Sequence, residues 1–439
     1  MDLIQTLPSF GGATFTVLAF IVAISIIVAV HEYGHYIVGR WSGIHAEVFS
    51  LGFGPVLFSR VDRRGTRWQV AALPLGGYVK FLGDANAASV GSTEVGEADR
   101  RRTMLGAPLW ARAATVAAGP AFNFVFSFLL FAAVLFSQGR PADPLSVGEL
   151  TPLPDSFEQT LLPGDEVLAV AGQALEGGQF PADLPVEPAP VWTIVRDGET
   201  IEIAAPYPFP SLLGSINPGS AAYDGGLRPG DVVTAVGGDP VYAFDQLVDA
   251  VRESGGAPMD LTVWRDGESF DVTLTPRRTD LPLPGGGFET RWLLGAGADL
   301  MFTPVMERSG PVEAFVQSGQ QIGFIVSSSL SGMWHILTGA ISTCNLSGPV
   351  GIAETSGQMA SQGTVSFLWF LGVISVAVGL LNLFPVPVLD GGHLMFHAWE
   401  AVTGRMPSDG ALRVMMAAGL AIVLALMCFA LLNDLILCP

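Results

Sequence analysis

No charged or ionisable side chain occurs between Leu3 and Val30, and the apolar run Phe15–Val30 then leads straight into His31-Glu32-Tyr33-Gly34-His35. Three more stretches have the same character. Residues 113–137 are apolar with several phenylalanines, residues 366–389 are interrupted only by Asn382 and two prolines, and residues 414–432 are apolar throughout. About 20 apolar residues suffice to cross a bilayer as a helix, so the pattern predicts four transmembrane helices over 1–40, 113–137, 366–392 and 411–433. The segment 311–342 is also poor in charge but two-faced. Phe315, Ile322, Val326, Leu330, Met333 and Leu337 line one side of a helix, and Gln317, Gln321, Ser328, Ser331, His335 and Thr338 line the other. Two stripes predict an amphipathic helix lying at the membrane interface rather than a fifth span.

Between the second span and that helix the periodicity shortens to β-like runs separated by Asp-Gly turns. This region repeats itself. Leu162-Pro163-Gly164-Asp165-Glu166-Val167 returns 66 residues later as Arg228-Pro229-Gly230-Asp231-Val232-Val233, and Val195-Arg196-Asp197-Gly198-Glu199 returns 69 residues later as Trp264-Arg265-Asp266-Gly267-Glu268. Order is kept while spacing drifts, which predicts two duplicated small domains, 144–213 and 214–300. The loop 41–112 joins the first two spans.

Composition agrees with a membrane protein: half of the 439 residues are hydrophobic, only 14% are charged, and mean hydropathy is +0.47. The net charge of −19 argues against nucleic-acid binding, and its distribution says more. Ten basic residues face six acidic ones between Arg40 and Arg112, whereas nine face 28 between Gln138 and Val365. Basic loops stay in the cytoplasm, so the duplicated acidic segment and both termini are expected outside it. The amino terminus lacks a basic n-region and a small-residue cleavage site, and reads as a retained first helix. Cys344, Cys428 and Cys438 form no CxxC pair and suggest neither a disulfide framework nor a thiolate metal site.

The chemistry lies where apolar helices carry ionisable groups. Such groups cost roughly 2.5–3.5 kcal/mol each on insertion scales and therefore mark function. His31 and His35 are four apart and share one helix face, with Glu32 beside them. Two imidazoles suit a divalent metal, and catalytic zinc usually takes a third protein ligand plus an open position. Asp390, in Asn382-Leu383-Phe384-Pro385-Val386-Pro387-Val388-Leu389-Asp390-Gly391-Gly392, follows an apolar helix and is the best third donor. Glu32 is then the general base. His393 and His397 form another four-residue pair near Asp390, without a neighbouring glutamate, and remain the alternative ligands.

Two resemblances add to this reading. The duplicated segments resemble PDZ domains, the second copy (Ile216-Asn217-Pro218-Gly219-Ser220-Ala221-Ala222 through Gly230-Asp231) more closely than the first. In the permuted bacterial form this makes Leu293, Leu294 and Gly295 candidates for capturing a peptide or a C-terminus. The whole chain resembles the site-2 protease family of intramembrane zinc metalloproteases, within it the bacterial regulator-of-sigma-E group. His31-Glu32-Tyr33-Gly34-His35, Gly119-Pro120-Ala121-Phe122-Asn123 and Asn382–Gly392 match its three motifs. Phe49–Gly54 and Leu73–Lys80 are similar to its membrane-dipping β segments.

The resemblance implies one zinc per chain and residence in the bacterial inner membrane, with the active site near the cytoplasmic side. It implies cleavage of single-span membrane proteins such as anti-sigma factors after a first extracytoplasmic cut, with remnant signal peptides as further substrates. It also implies substrate contacts at Asn123, Asn382, Gly76, Gly77 and Tyr78. One departure is Ala377, where near relatives often carry asparagine. The expected fold is thus a multi-pass α-helical membrane protein with membrane-associated β segments and two inserted extracytoplasmic PDZ-like domains. A non-catalytic PDZ membrane adaptor and a metal transporter are the competing readings; the first leaves Glu32 and Asp390 without a purpose, and the second leaves the repeat without one.

Overall fold

The structure is a computed structural model that describes residues 11–84, 96–97, 99–217, 219–283 and 287–437. The first ten residues of the expected first span, part of the 41–112 loop, Pro218 of the second repeat and Cys438 lie outside these. Two compact units form: Phe136–Gly310 with His335–Asn345 is one, and the remaining described residues make the other.

The membrane-type unit begins with α1 (Gly11–Trp41), followed by β1 (Ala46–Val61), β2 (Arg67–Phe81) and α2 (Leu109–Gln138). The two long strands fold back on themselves into four rungs. Residues 77–81 pair with 46–51, which also lie beside 67–70; residues 56–61 pair with 67–71 on the far side. Gly77 is required where this sheet meets α1, because a Cβ there would press on the Ser50 carbonyl at 2.7 Å and on Val28 and Glu32. Tyr36, Ile44, Phe49, Val79, Phe81 and Ala111 form the core that joins sheet to helices.

In the β-rich unit, strands Leu145–Leu150, Glu166–Val170, Val191–Arg196 and Glu199–Ala204 form one sheet, and Val232–Val236, Met259–Arg265 and Glu268–Leu274 another. Short helices α3 (Ala221–Asp224) and α4 (Phe244–Glu253) belong to the second copy. The repeat is chemical as well as topological. Asp165 and Asp231, each 1% exposed, accept from the amides of Leu162 and Arg228 and are clasped by Arg196 and Arg265. Removing either arginine would strand a buried carboxylate, a loss of about 3–5 kcal/mol. The expected boundary at 213/214 is too simple. Strand Phe302–Pro304, beyond the second copy, pairs with Leu145–Leu150, and Met301, Phe302 and Ala243 enter the first copy's core. The second domain is therefore inserted into the first, a long-range pairing that local periodicity does not encode.

The chain then forms α5 (Pro311–Leu337), α6 (Pro349–Ser361), α7 (Thr364–Asn382), α8 (Asp390–Thr403) and α9 (Asp409–Leu432). Among the described residues, four helices are long and apolar enough to cross a membrane: Gly12–Trp41, Leu109–Gln138, Thr364–Asn382 and Gly410–Leu437. α5 is not among them. The third span ends at Asn382 rather than 392, because Pro385 and Pro387 break the helix and Asp390 starts a new one. Weak periodicity and two glycines hid α6, whose first turn is held by the Asp434 carboxylate accepting from the Gly348, Val350 and Gly351 amides. Cys344 is disulfide-bonded, correcting the expectation from cysteine spacing; Cys428 is free.

Candidate active site

α1 presents His31, Glu32 and His35 from its second half, and Asp390 reaches them from the first position of α8. The two glycines after Asp390 let α8 start there. A Cβ on Gly391 or Gly392 would overlap the carbonyls of Leu383, Phe384 and Val386 in the proline turn. Asp390 Oδ2 lies 3.1 Å from His31 Nε2 and 3.4 Å from His35 Nε2, and the two Nε2 atoms are 3.1 Å apart.

Three atoms that can each present a lone pair meet here. His35 Nδ1 faces the Thr115 carbonyl at 2.8 Å and must carry the ring proton to donate to it, so the neutral ring turns its Nε2 lone pair toward Asp390. Asp390 Oδ2 is buried without a hydrogen-bond donor. For His31, the Asn123 amide stands 3.3 Å from Nδ1, while Asn123 Oδ1 is buried and has no donor. Turning that amide by half a revolution satisfies both groups, with Nδ1–H donating to Oδ1 and the Nε2 lone pair left facing the cluster. Converging lone pairs repel unless a cation sits among them. Tetrahedral zinc with ligands at 2.0–2.1 Å separates them by about 3.3 Å, and the spacings found here match. Among the described residues this is the one cluster of three such donors. His393 packs edge-on to Phe396, and neither it nor His397 joins the cluster.

α2 supplies what surrounds the cluster. A side chain on Gly119 would overlap both imidazole rings, and one on Gly34 would press on the Ala118 carbonyl at 2.5 Å; the two glycines bring α1 and α2 together at the ligands. Asn123 is fully buried. Its carbonyl accepts from Ser375 of α7, and Ser127 bridges that carbonyl and Gly372. Asn123 thus holds His31 rather than facing outward, and Asn123→Ala is expected to lower zinc affinity or activity about 10–100-fold, read by metal titration. Thr115, Ser127 and Ser375 escaped sequence reading, their only signal being hydroxyl residues inside apolar runs, and Gly119 was noticed only as part of a family motif.

The other expected contacts are more dispersed. Glu32 lies against Gly77, and the Val79 backbone amide faces its carboxylate. Tyr78 stacks with Phe53 at 6.0 Å and accepts from Gln69. Gly76 has φ +146° against the Phe53 ring, where a Cβ would collide. Asn382 donates to the Val378 carbonyl of its own helix, and Ala377 is half-buried nearby on α7. Leu293, Leu294 and Gly295 lie in the β-rich unit. Leu294 is in the second copy's core, and the Leu294 and Gly295 carbonyls accept from the Ala222 and Asn217 amides.

The chain is similar over almost its whole length to known proteins. The family model described as Peptidase family M50 matches residues 19–426. The regulator of sigma-E protease, RseP, of Salmonella typhimurium is 33% identical over 95% of this chain and 97% of its own. A Rhizobium meliloti protein named as a presumptive zinc metalloprotease is 36% identical over 96% of both chains. One from Agrobacterium fabrum named likewise is 34% identical over 97% of this chain and 96% of its own. With a two-imidazole, one-carboxylate cluster beside a glutamate and, among the described residues, four helices apolar enough to cross a membrane, the chain belongs to peptidase family M50 and is a zinc-dependent metalloprotease of the site-2 type.

Proposed function

We propose that this protein is an intramembrane endopeptidase of the bacterial inner membrane that cuts the transmembrane segments of single-span proteins already trimmed of their outer domains. The carrying observation is Glu32 beside the converging donors of His31, His35 and Asp390, on a helix apolar enough to span a bilayer. In this reading His31, His35 and Asp390 hold one zinc ion per chain. Zinc bound there polarises the scissile carbonyl and lowers the pKa of water toward ~7. Glu32 takes the proton from the attacking water and delivers it to the leaving amine. Asn123 and Thr115 keep the two imidazoles in the tautomer that presents Nε2.

A helical substrate shields its own peptide bonds and must be extended before it is cut. The strand segment 77–81 suits this task, since among the described residues it has one neighbour in its sheet and it lies beside Glu32. Gly76, Gly77, Tyr78 and Asn382 are the residues that would meet the extended chain. The relative named regulator of sigma-E protease supports anti-sigma-factor-like substrates. An orientation with both termini and the acidic β-rich unit outside the cytoplasm is supported by the charge asymmetry, and by the disulfide at Cys344, which favours an oxidising compartment.

The β-rich copies, read as PDZ-like domains with Leu293–Gly295 at the ligand strand, act as a size filter. The test compares one transmembrane substrate with and without a folded outer domain. Wild type is expected to cut only the trimmed form, and deletion of residues 144–300 to admit both. If the deleted protein still cuts only the trimmed form, the filter is elsewhere.

A further inference from the structure

The membrane-type unit holds a cavity that the proteolytic reading does not use. It measures about 580 Å³, within the range of small-ligand sites, and its wall is almost wholly apolar. Ala29, Val30 and Tyr33 contribute from α1; at ~100° per residue they share a face turned away from His31 and His35. Phe126 and Leu129 of α2 form a second wall. The sheet closes the third side with Phe58, Trp68 and Val70, of which Phe58 and Val70 are cross-strand partners. Phe58, Val70 and Leu129 are exposed, so the cavity opens to whatever surrounds the two spanning helices.

One end of this cavity changes character. Arg60 lies two residues beyond Phe58 and opposite Trp68, on the same sheet face as both. It is joined at the hairpin end by Arg63, Arg64 and Arg67, all four exposed and, among the described residues, in no ion pair. The turn's single carboxylate, Asp62, is already engaged by the Trp68 indole and the Arg64 and Thr66 amides, with Arg40 at 4.0 Å. Arg40 closes the last turn of α1, and Ala29 is about 16 Å deeper along the helix. An apolar cleft at hydrocarbon depth therefore runs up to a cluster of free guanidinium groups at the helix end.

We infer that this cleft is a binding site for an anionic phospholipid, with an acyl chain between the sheet and α1/α2 and the phosphate on Arg60 and its neighbouring arginines. The apolar wall selects hydrocarbon, and the unmatched positive charge selects an anionic headgroup. The inference rests on residence in a bilayer and not on the chemistry of the His31, His35 and Asp390 cluster.

The test uses the full chain in phosphatidylcholine nanodiscs containing a small fraction of phosphatidylglycerol with an acyl-chain diazirine. After photolysis, adducts are mapped by mass spectrometry. Labelling is expected at Phe58, Val70 and Leu129 above that of the exposed α9 residues Leu420 and Leu424. Unlabelled phosphatidylglycerol should compete it away, and phosphatidylcholine should not. The double variant Arg60→Gln/Arg67→Gln, altered only at exposed positions, should lower cavity labelling roughly tenfold or more and leave α9 labelling unchanged. Equal labelling by a phosphatidylcholine probe, or labelling that survives the double substitution, overturns the headgroup site. Displacement by a single-span substrate peptide but not by phosphatidylglycerol overturns the inference too, and makes the cavity a substrate site.

Discussion

Glu32→Gln is expected to keep its zinc and to lose cleavage by about 10²–10⁴-fold, the usual weight of a general acid–base group. Glutamine preserves the shape of the side chain and its packing on Gly77, and it can still meet the Val79 amide. It cannot accept the proton of an attacking water. The donors are untouched, because the cluster is built from His31, His35 and Asp390 alone. The variant should therefore match wild type in metal content and in substrate affinity, and differ only in turnover. Zinc analysis and cleavage of a short single-span substrate, run on both proteins side by side, check this. Turnover near the wild-type rate would remove Glu32 from the chemistry.

The second large effect falls on the metal itself. Asp390→Ala leaves two imidazoles without an anionic partner, and the expected result is zinc reduced to background after dialysis, with activity lost in parallel. Stability supplies an independent readout. In wild type, Asp390 Oδ2 lies 3.1 and 3.4 Å from the two imidazole Nε2 atoms, so the donors are already gathered before the ion binds. A ligand that binds only the folded state stabilises it by mass action. Zinc should thus raise the melting temperature of wild type and leave that of Asp390→Ala unchanged. A zinc-dependent rise in the variant would show that the ion is held elsewhere.

The legible part of this molecule was whatever depended on local pattern. Charge-free runs of bilayer length located all four apolar helices, and the i, i+4 spacing of His31 and His35 put two donors on one face. Asp390 could be picked because a carboxylate beside an apolar span demands a partner. What stayed hidden depended on contacts across the chain. The return of Phe302–Pro304 to the first β-rich copy pairs residues more than 150 positions apart. The fourfold folding of β1 and β2 depends on which rung lies beside which. Asn123 matched a motif in the family resemblance, yet its contact with His31 required α1 and α2 to be seen together. Gly119 is the sharpest case: its role is the absence of a side chain, and only the two imidazole rings beside it reveal that.

The central claim is that these donors and Glu32 hydrolyse a peptide bond within a transmembrane segment. The most direct measurement is product mass spectrometry on a single-span substrate cut in ¹⁸O-labelled water. The account predicts a new carboxyl terminus inside the apolar span carrying one ¹⁸O. That product should vanish when zinc is stripped, return when zinc is restored, and be absent with Glu32→Gln. A cut confined to the polar flanks, or one that persists without zinc or without Glu32, would contradict it.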